Sequence, residues 1–357
     1  MTTDQIWRSE EQAVFALRGL YQRYGYTPYK MSQFEEYDLY VRSKDFLISD
    51  RIITFSGEGG KLMALKPDVT LSIVKNAPEA PGVVQKVYYS ENVYRDYREI
   101  MQAGLECVGD LADYDIAEAV LLAVKSLALL GENYVLDISH MGLIAGVLER
   151  FGFDTDAQKK IMTCLRQKNT HELRALCENK PQAEQVLLAI AACRGGAEAL
   201  EKIDPLLTGE AERQALGQLR ALLELLADSG YGSRVRLDFS VSNDLGYYSG
   251  VVFRGYLPGI PASVLSGGQY DKLPRKMGRK ARAIGFAIYV DLLQELSGPD
   301  GSFDVETLIL HDGNASPASL VRAAEEAAKT GSVLVGEAFP TDRRWKNLID
   351  LRKVAAE

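Results

Sequence analysis

A chain of 357 residues, 46% hydrophobic and 25% charged, has the make-up of a soluble globular protein and exceeds one usual domain, so one large domain with an appendage is expected. Its net charge of −8 disfavours a nucleic-acid partner, which needs lysine and arginine to neutralise phosphates. No apolar run approaches the roughly 20 residues of a membrane span, and the polar stretch Met1 to Glu11 is unlike a signal peptide, so a cytoplasmic location is expected.

In chain order, Val14, Leu17, Tyr21 and Tyr24 mark an amphipathic helix over about 8–24 that Gly25 ends. Tyr26 to Tyr29 reads as a short strand, with Pro28 arguing for an edge or a strand start. Ile52 to Phe55 and Leu62 to Leu65 flank Ser56-Gly57-Glu58-Gly59-Gly60-Lys61. A phosphate loop would need Ser or Thr after the lysine, where Leu62 stands, so a hairpin turn is expected. Lys66-Pro67-Asp68-Val69-Thr70 leads into a helix through Leu71, Val74 and Lys75, and Val83 to Tyr89 is a strand. Asp115 with Glu118 reads as a capping box opening a helix whose stripe is Ile116, Val120, Ala123, Leu127 and Leu130, stopped by Gly131. A strand, Tyr134 to Ile138, follows. From about 141 to 229 the chain is helical, with a stripe of Leu216, Leu219, Leu223 and Leu226 and breaks at Gly195-Gly196 and Pro205. This insertion carries no evident chemistry and suits a packing module or a partner surface.

Val235, Leu237 and Phe239 alternate with Arg236, Asp238 and Ser240 in a half-buried strand. The run Asn243-Asp244-Leu245-Gly246-Tyr247-Tyr248-Ser249-Gly250-Val251-Val252-Phe253 then turns at Gly246 and restarts with two tyrosines. It fits a ligand-pocket wall or an ordinary hairpin with surface tyrosines. Arg275, Lys276, Arg279, Lys280 and Arg282 form the one basic cluster, read as a solvated loop rather than a tRNA site. Cys107, Cys164, Cys177 and Cys193 lack Cys-x-x-Cys pairing and His140, His171 and His311 are scattered, so no metal, cofactor or disulfide framework is expected. Val305 to Leu310, Pro317 to Lys329 and Val333 to Val335 read as a βαβ unit within 301–357.

The tyrosine run resembles the Arg-Gly-Leu-Asp-Tyr-Tyr-Thr-Gly signature of histidyl-tRNA synthetases, with Asn243 in place of the catalytic arginine. Three further stretches continue the likeness. Lys66 to Thr70 resembles Arg-Pro-Glu-Gly-Thr, whose carboxylate and threonine hold the amino group, here Asp68 and Thr70. Glu91 to Glu106 is similar to the second class II motif, two antiparallel strands with a shortened joining loop. It places Arg95 on the α-phosphate and carboxylate position and Gln102 and Glu106 on amino-acid positions; a plain Arg95–Glu106 ion pair is the alternative. Ser266-Gly267-Gly268-Gln269-Tyr270-Asp271 resembles Gly-Gly-Arg-Tyr-Asp, whose tyrosine encloses the histidine side chain. Ala283 to Leu293 stands where the third motif, a strand leading into a helix, belongs, with Asp291 on its glutamate and Leu292 on its ATP-clamping arginine. The helix of 8–24, the strand at Tyr26 to Tyr29 and Phe34 to Tyr40 resemble the first motif, which implies a class II-type dimer interface.

The resemblance implies an α+β fold, a class II synthetase-like antiparallel sheet flanked by helices. The expected layout is a core over 1–300, a helical insertion at 141–229 and a short βαβ segment at 301–357, where the synthetases have a complete anticodon-binding domain. Adenylate formation needs fixed cations around the phosphates, and two of the three expected arginines are replaced, by Asn243 and Leu292. The residues suited to holding a histidine-like ligand remain: Asp68, Thr70, Arg95, Gln102, Glu106, Tyr247, Tyr248 and Tyr270. This pattern resembles the regulatory subunits of ATP phosphoribosyltransferase. It implies a chain without catalytic activity that serves the first step of histidine biosynthesis beside a short-form catalytic subunit and mediates feedback inhibition by histidine. A specialised synthetase-like ligase acting on a non-tRNA substrate is the alternative, and a tRNA-binding module a third reading.

Overall fold

The computed structural model describes residues 9–42, 51–78, 80–241, 245–296 and 303–352. The chain divides into a large unit, Ala13–Leu296, and a small one drawn from Met1–Gln12 and Ser297–Glu357. The elements run α1 (Ser9–Arg23), β1 (Thr27–Pro28), β2 (Phe34–Glu36), α2 (Tyr37–Arg42), β3 (Thr54–Ser56), β4 (Leu62–Leu65), α3 (Thr70–Asn76), β5 (Val84–Arg95), β6 (Arg98–Gly109), α4 (Asp113–Leu130) and β7 (Val135–His140). Next come α5 (Met141–Arg150), α6 (Thr155–Gln167), α7 (Thr170–Leu176), α8 (Pro181–Ala192), β8 (Arg194–Gly195), α9 (Glu210–Asp228), β9 (Val235–Asp238), β10 (Val251–Tyr256), β11 (Leu265–Gln269), α10 (Lys272–Lys276) and β12 (Arg282–Tyr289). The small unit supplies β13 (Val305–Leu310), α11 (Pro317–Ala328), β14 (Val333–Gly336) and β15 (Trp345–Asp350).

Nine strands form the central sheet in the order β1-β5-β6-β12-β11-β10-β7-β9-β8. Its middle is antiparallel, while β1 joins β5 and β7 joins β9 in parallel. β1 is an edge strand, a place where the missing N–H of Pro28 costs no ladder bond. One side of the sheet is closed by α1 and α4. Tyr21 of α1 sits beneath it, about 6.1 Å between ring centroids from both Tyr88 and Phe286, with its hydroxyl 3.0 Å from Ser126 Oγ. Leu216, Leu219, Leu223 and Leu226 of α9 are all buried, as their spacing requires. The mixed helices and antiparallel sheet are of the expected α+β class.

β5 and β6 make one twelve-against-twelve hairpin, Val84 paired with Gly109 through to Arg95 with Arg98. Only Asp96 and Tyr97 join them, both with positive φ (51° and 61°), the conformation of a two-residue type I′ turn. The loop of the second motif is thereby reduced to its minimum. The glycine-lysine stretch before β4 is likewise a hairpin turn, with Gly59 and Gly60 at φ 70° and 78° and β3 antiparallel to β4.

Several expectations are corrected. α4 begins at Asp113, and Asp115 reaches back to accept from the Ala112 N–H (2.9 Å), so Asp115 is the third residue of the helix in the capping box and not the residue that precedes it. Glu118 is turned to Lys86 and the Tyr114 hydroxyl. After the Gly246 turn the strand restarts only at Val251, leaving both tyrosines in the turn segment, while Asn243 and Asp244 lie outside the described residues. The third-motif helix is a 3₁₀ segment, Val290–Leu296. The basic cluster is partly structural: Arg279 donates to the carbonyls of Lys75 and Ala77 (both 2.5 Å) and Arg282 to that of Leu111 (2.8 Å). The insertion also contributes β8 to the central sheet, paired with β9.

In the small unit β13 lies between β14 and β15, all parallel, with α11 packed on it. Ser316 caps α11 and Pro317 occupies its first turn. β15 extends the expected βαβ unit by a strand. Among the described residues no helix is long and apolar enough to cross a membrane.

Candidate functional site

One cavity of about 60 Å³ collects Asp68, Thr70, Arg95, Gln102, Glu106, Tyr247, Tyr248 and Tyr270, every residue proposed from the sequence. Strand periodicity explains part of this, because Gln102 and Glu106 on β6 share a face of the sheet. Arg95 ends β5 beside the tight turn, and Asp68 and Thr70 come from the start of α3. Tyr247 and Tyr248 enter from the turn before β10, and Tyr270 follows β11. Ser249 fastens these last two segments together: its N–H donates to Gln269 O (2.9 Å) and its Oγ accepts from the Asp271 N–H (3.1 Å).

Glycines make the floor thin enough for side chains to lie on it. A Cβ on Gly285 would overlap Glu106 Oε2, and one on Gly104 would overlap the Phe286 carbonyl and the Tyr89 hydroxyl. Over that floor the Glu106 carboxyl, 2% exposed, accepts from Thr70 Oγ1 (2.6 Å) and from the Tyr270 hydroxyl. Burial raises its pKa to about 8, Thr70 and Tyr270 pull against that, and the neighbouring Asp68 charge adds to it. At neutral pH a pKa of about 8 leaves this acid mostly protonated. Burial also raises the pKa of Asp68, against the pull of Arg95. Part of the Asp68 carboxylate is committed to α3, since Leu71 N–H donates to Oδ1 (2.8 Å).

Arg95 is 6% exposed, and its buried Nε makes no hydrogen bond among the described residues. A buried guanidinium N–H without an acceptor is costly unless a ligand supplies one. There is no Arg95–Glu106 ion pair; Glu106 bonds to hydroxyls. The three tyrosines form the apolar wall, with ring centroids 4.6 Å apart for Tyr247–Tyr248 and 5.7 Å for Tyr247–Tyr270.

Tyr89, Tyr289, Ser266, Gly267, Gly285, Phe286 and Ala287 complete the lining and were missed from sequence. The usable signal was glycine inside a strand, as at Gly104 and Gly285, which marks close approach. Arg95 is the one Lys or Arg among the described lining residues. Arg254 on β10 lies opposite Ser266 in register and its charge reaches the Tyr248 hydroxyl. Leu292 is half-buried against the apolar core, and Asp291 accepts from the Met101 N–H (2.9 Å). The Asn243 position lies outside the described residues.

Fold and site define a histidyl-tRNA synthetase-like protein of the class II type. The family model described as histidyl-tRNA synthetase matches residues 3–293. An ATP phosphoribosyltransferase regulatory subunit from Geobacter metallireducens is 32% identical over 281 residues, 74% of this chain and 63% of that protein. Among solved structures, an ATP phosphoribosyltransferase regulatory subunit/histidyl-tRNA synthetase from Bacillus halodurans superposes with a TM-score of 0.75 at 23% identity, covering 97% of this chain and 95% of that one. An ATP phosphoribosyl transferase (HisG:HisZ) complex from Thermotoga maritima gives a TM-score of 0.62 at 20% identity, covering 78% and 96%. These two establish the fold. The chain belongs to the histidyl-tRNA synthetase family, and within it is similar to ATP phosphoribosyltransferase regulatory subunits.

Proposed function

We propose that the chain is a non-catalytic regulatory subunit of ATP phosphoribosyltransferase in the first step of histidine biosynthesis. It acts beside a separate catalytic subunit in the cytoplasm and senses histidine through the tyrosine pocket. The observation that carries this reading is the pairing of Arg95, a buried cation with an unused N–H, with acids and hydroxyls across a glycine floor. That is the dipolar arrangement an α-amino acid needs: carboxylate on Arg95, ammonium on Asp68 and Thr70, side chain against Glu106 and the tyrosines. Activation of the carboxylate would need further cations at the phosphates, and Leu292 supplies none.

The pocket is contracted. About 60 Å³ holds a few waters, so histidine would enter only as the lining side chains move apart. Ligand binding would then favour the open arrangement, and any difference in how the two arrangements meet the catalytic subunit becomes a coupling free energy. Self-association through α1 and β1, as in class II enzymes, is part of the proposal.

The test is reconstitution. The purified chain added to a short-form catalytic subunit should raise phosphoribosyl transfer, and calorimetry should give one histidine site per chain. No stimulation together with no histidine binding would refute the reading. The ligase alternative requires histidine-dependent exchange of pyrophosphate into ATP, and none is expected.

A further inference from the structure

A larger cavity, about 540 Å³, lies elsewhere in the large unit, and no residue lines both it and the tyrosine pocket. It is bounded by the start of α4, one face of α9, and four strand ends: His140 of β7, Val251 of β10, Gln269 of β11 and Arg282 of β12. Its size falls within the range of small-ligand sites. One wall is apolar, made by Ile116, Leu219, Leu222, Leu225 and Val251. On α9 the small residues Gly217 and Ala221 deepen it, and a Cβ at Gly217 would meet nothing within 4 Å.

The polar groups at the other side are fixed. His140 is buried and its pKa falls to about 4, so the ring is neutral. Its Nδ1 accepts from the Leu143 N–H, so Nε2 carries the proton and donates to Gln218 Oε1 (3.0 Å). That bond orients the Gln218 amide with its NH₂ turned away from the imidazole. Arg282 is the only Lys or Arg among the described lining residues. It is held by the Leu111 carbonyl, lies 3.9 Å from Asp271 Oδ2, and keeps a third of its side chain exposed. Asp113 shares the lining, so multiply charged anions such as nucleotide phosphates are disfavoured.

We propose that this cavity is a second ligand site, for a small amphipathic monoanion. Its apolar body would lie on Ile116 and the leucines of α9, and its single carboxylate or sulfonate would meet Arg282 and the Gln218 amide. The site does not depend on what the tyrosine pocket binds.

The probe is 8-anilinonaphthalene-1-sulfonate, an aromatic body with one sulfonate, titrated by fluorescence into the full chain with octanoate as competitor. One saturable site displaced by octanoate is expected. Gly217→Leu fills the cavity with a better helix former and should weaken the probe about tenfold or more with the thermal midpoint retained; Ala221→Leu is the second filling variant. Arg282→Gln should weaken the sulfonate and leave an uncharged naphthylamine analogue unchanged. Probe affinity unaffected by both filling variants, non-saturable binding, or equal binding of the uncharged analogue would overturn the proposal. So would a wild-type chain that excludes the probe and dissociates on Gly217→Leu, which would mark the groove as a contact between copies.

Discussion

Replacing Glu106 by glutamine should stabilise the protein in the absence of added histidine, and by an amount that grows with pH. Glu106 takes its proton at about 8 in the fold against an ordinary 4.5. Below 4.5 it is protonated in both folded and unfolded chains and contributes nothing to the pH dependence. Between 4.5 and 8 the unfolded chain ionises and the folded one does not, so stability falls by up to about 1.4 kcal/mol per pH unit. At pH 7 the loss is about 3 kcal/mol, and above 8 it levels off near 5 kcal/mol. Glu106→Gln removes the ionisation and keeps both partners, one amide atom accepting from a hydroxyl while the other donates to its neighbour. Thermal unfolding of both proteins from pH 5 to 9 should therefore show a gap that opens with pH, reaching roughly 4–5 °C at pH 7. A gap of constant size across that range would refute the argument, because packing or hydrogen bonding alone carries no such slope. With histidine present the order should reverse, since the variant cannot offer a carboxylate.

Histidine binding at pH 7 should expel close to one proton where the neutral imidazole donates to an ionised Glu106, seen as a dependence of calorimetric heat on buffer ionisation enthalpy; heat independent of the buffer would mean that the proton stays in the site, on Glu106 or on the ring. Arg95→Met should weaken histidine by about 10–100-fold, the range for a lost charged hydrogen bond, while the thermal midpoint changes little; an unchanged titration would remove Arg95 from the site. Gly285→Ala should cost about 1–3 kcal/mol and abolish histidine binding, because the new methyl group occupies the place of Glu106 Oε2. Leu292→Arg should leave histidine-dependent pyrophosphate exchange undetectable, and its appearance would favour the ligase alternative.

The parts of the fold legible from sequence are those with strong period or punctuation. The α9 leucines, the alternation at Val235 to Phe239 and the Gly25 stop all met the elements they implied. β8 was invisible because two residues inside a helical stretch have no period to detect, and its place in the sheet comes from pairing with β9. Asp115 and Glu118 satisfied a capping pattern one turn too far along, because sequence spacing does not say which acid faces the free N–H groups. At the site, the eight named residues were readable as a set only because their motifs recur in order. Tyr89, Tyr289 and Ala287 carry no pattern of their own, and their role in the lining depends on strand register. Nothing local distinguishes the protonated Glu106 from an exposed glutamate either, since its state follows from burial by segments far away in the chain.

Asp68 stands at one end of α3 and Arg279 holds the carbonyls at the other, so this helix of seven residues is gripped from both sides. An incoming ammonium and the Leu71 amide draw on the same carboxylate. On the proposed reading, a filled pocket should loosen the first turn of α3 while its far end, about 10 Å away, stays clamped. Occupancy would be recorded as faster deuterium uptake at Leu71, a local fraying that a neighbouring subunit could feel without any large rearrangement.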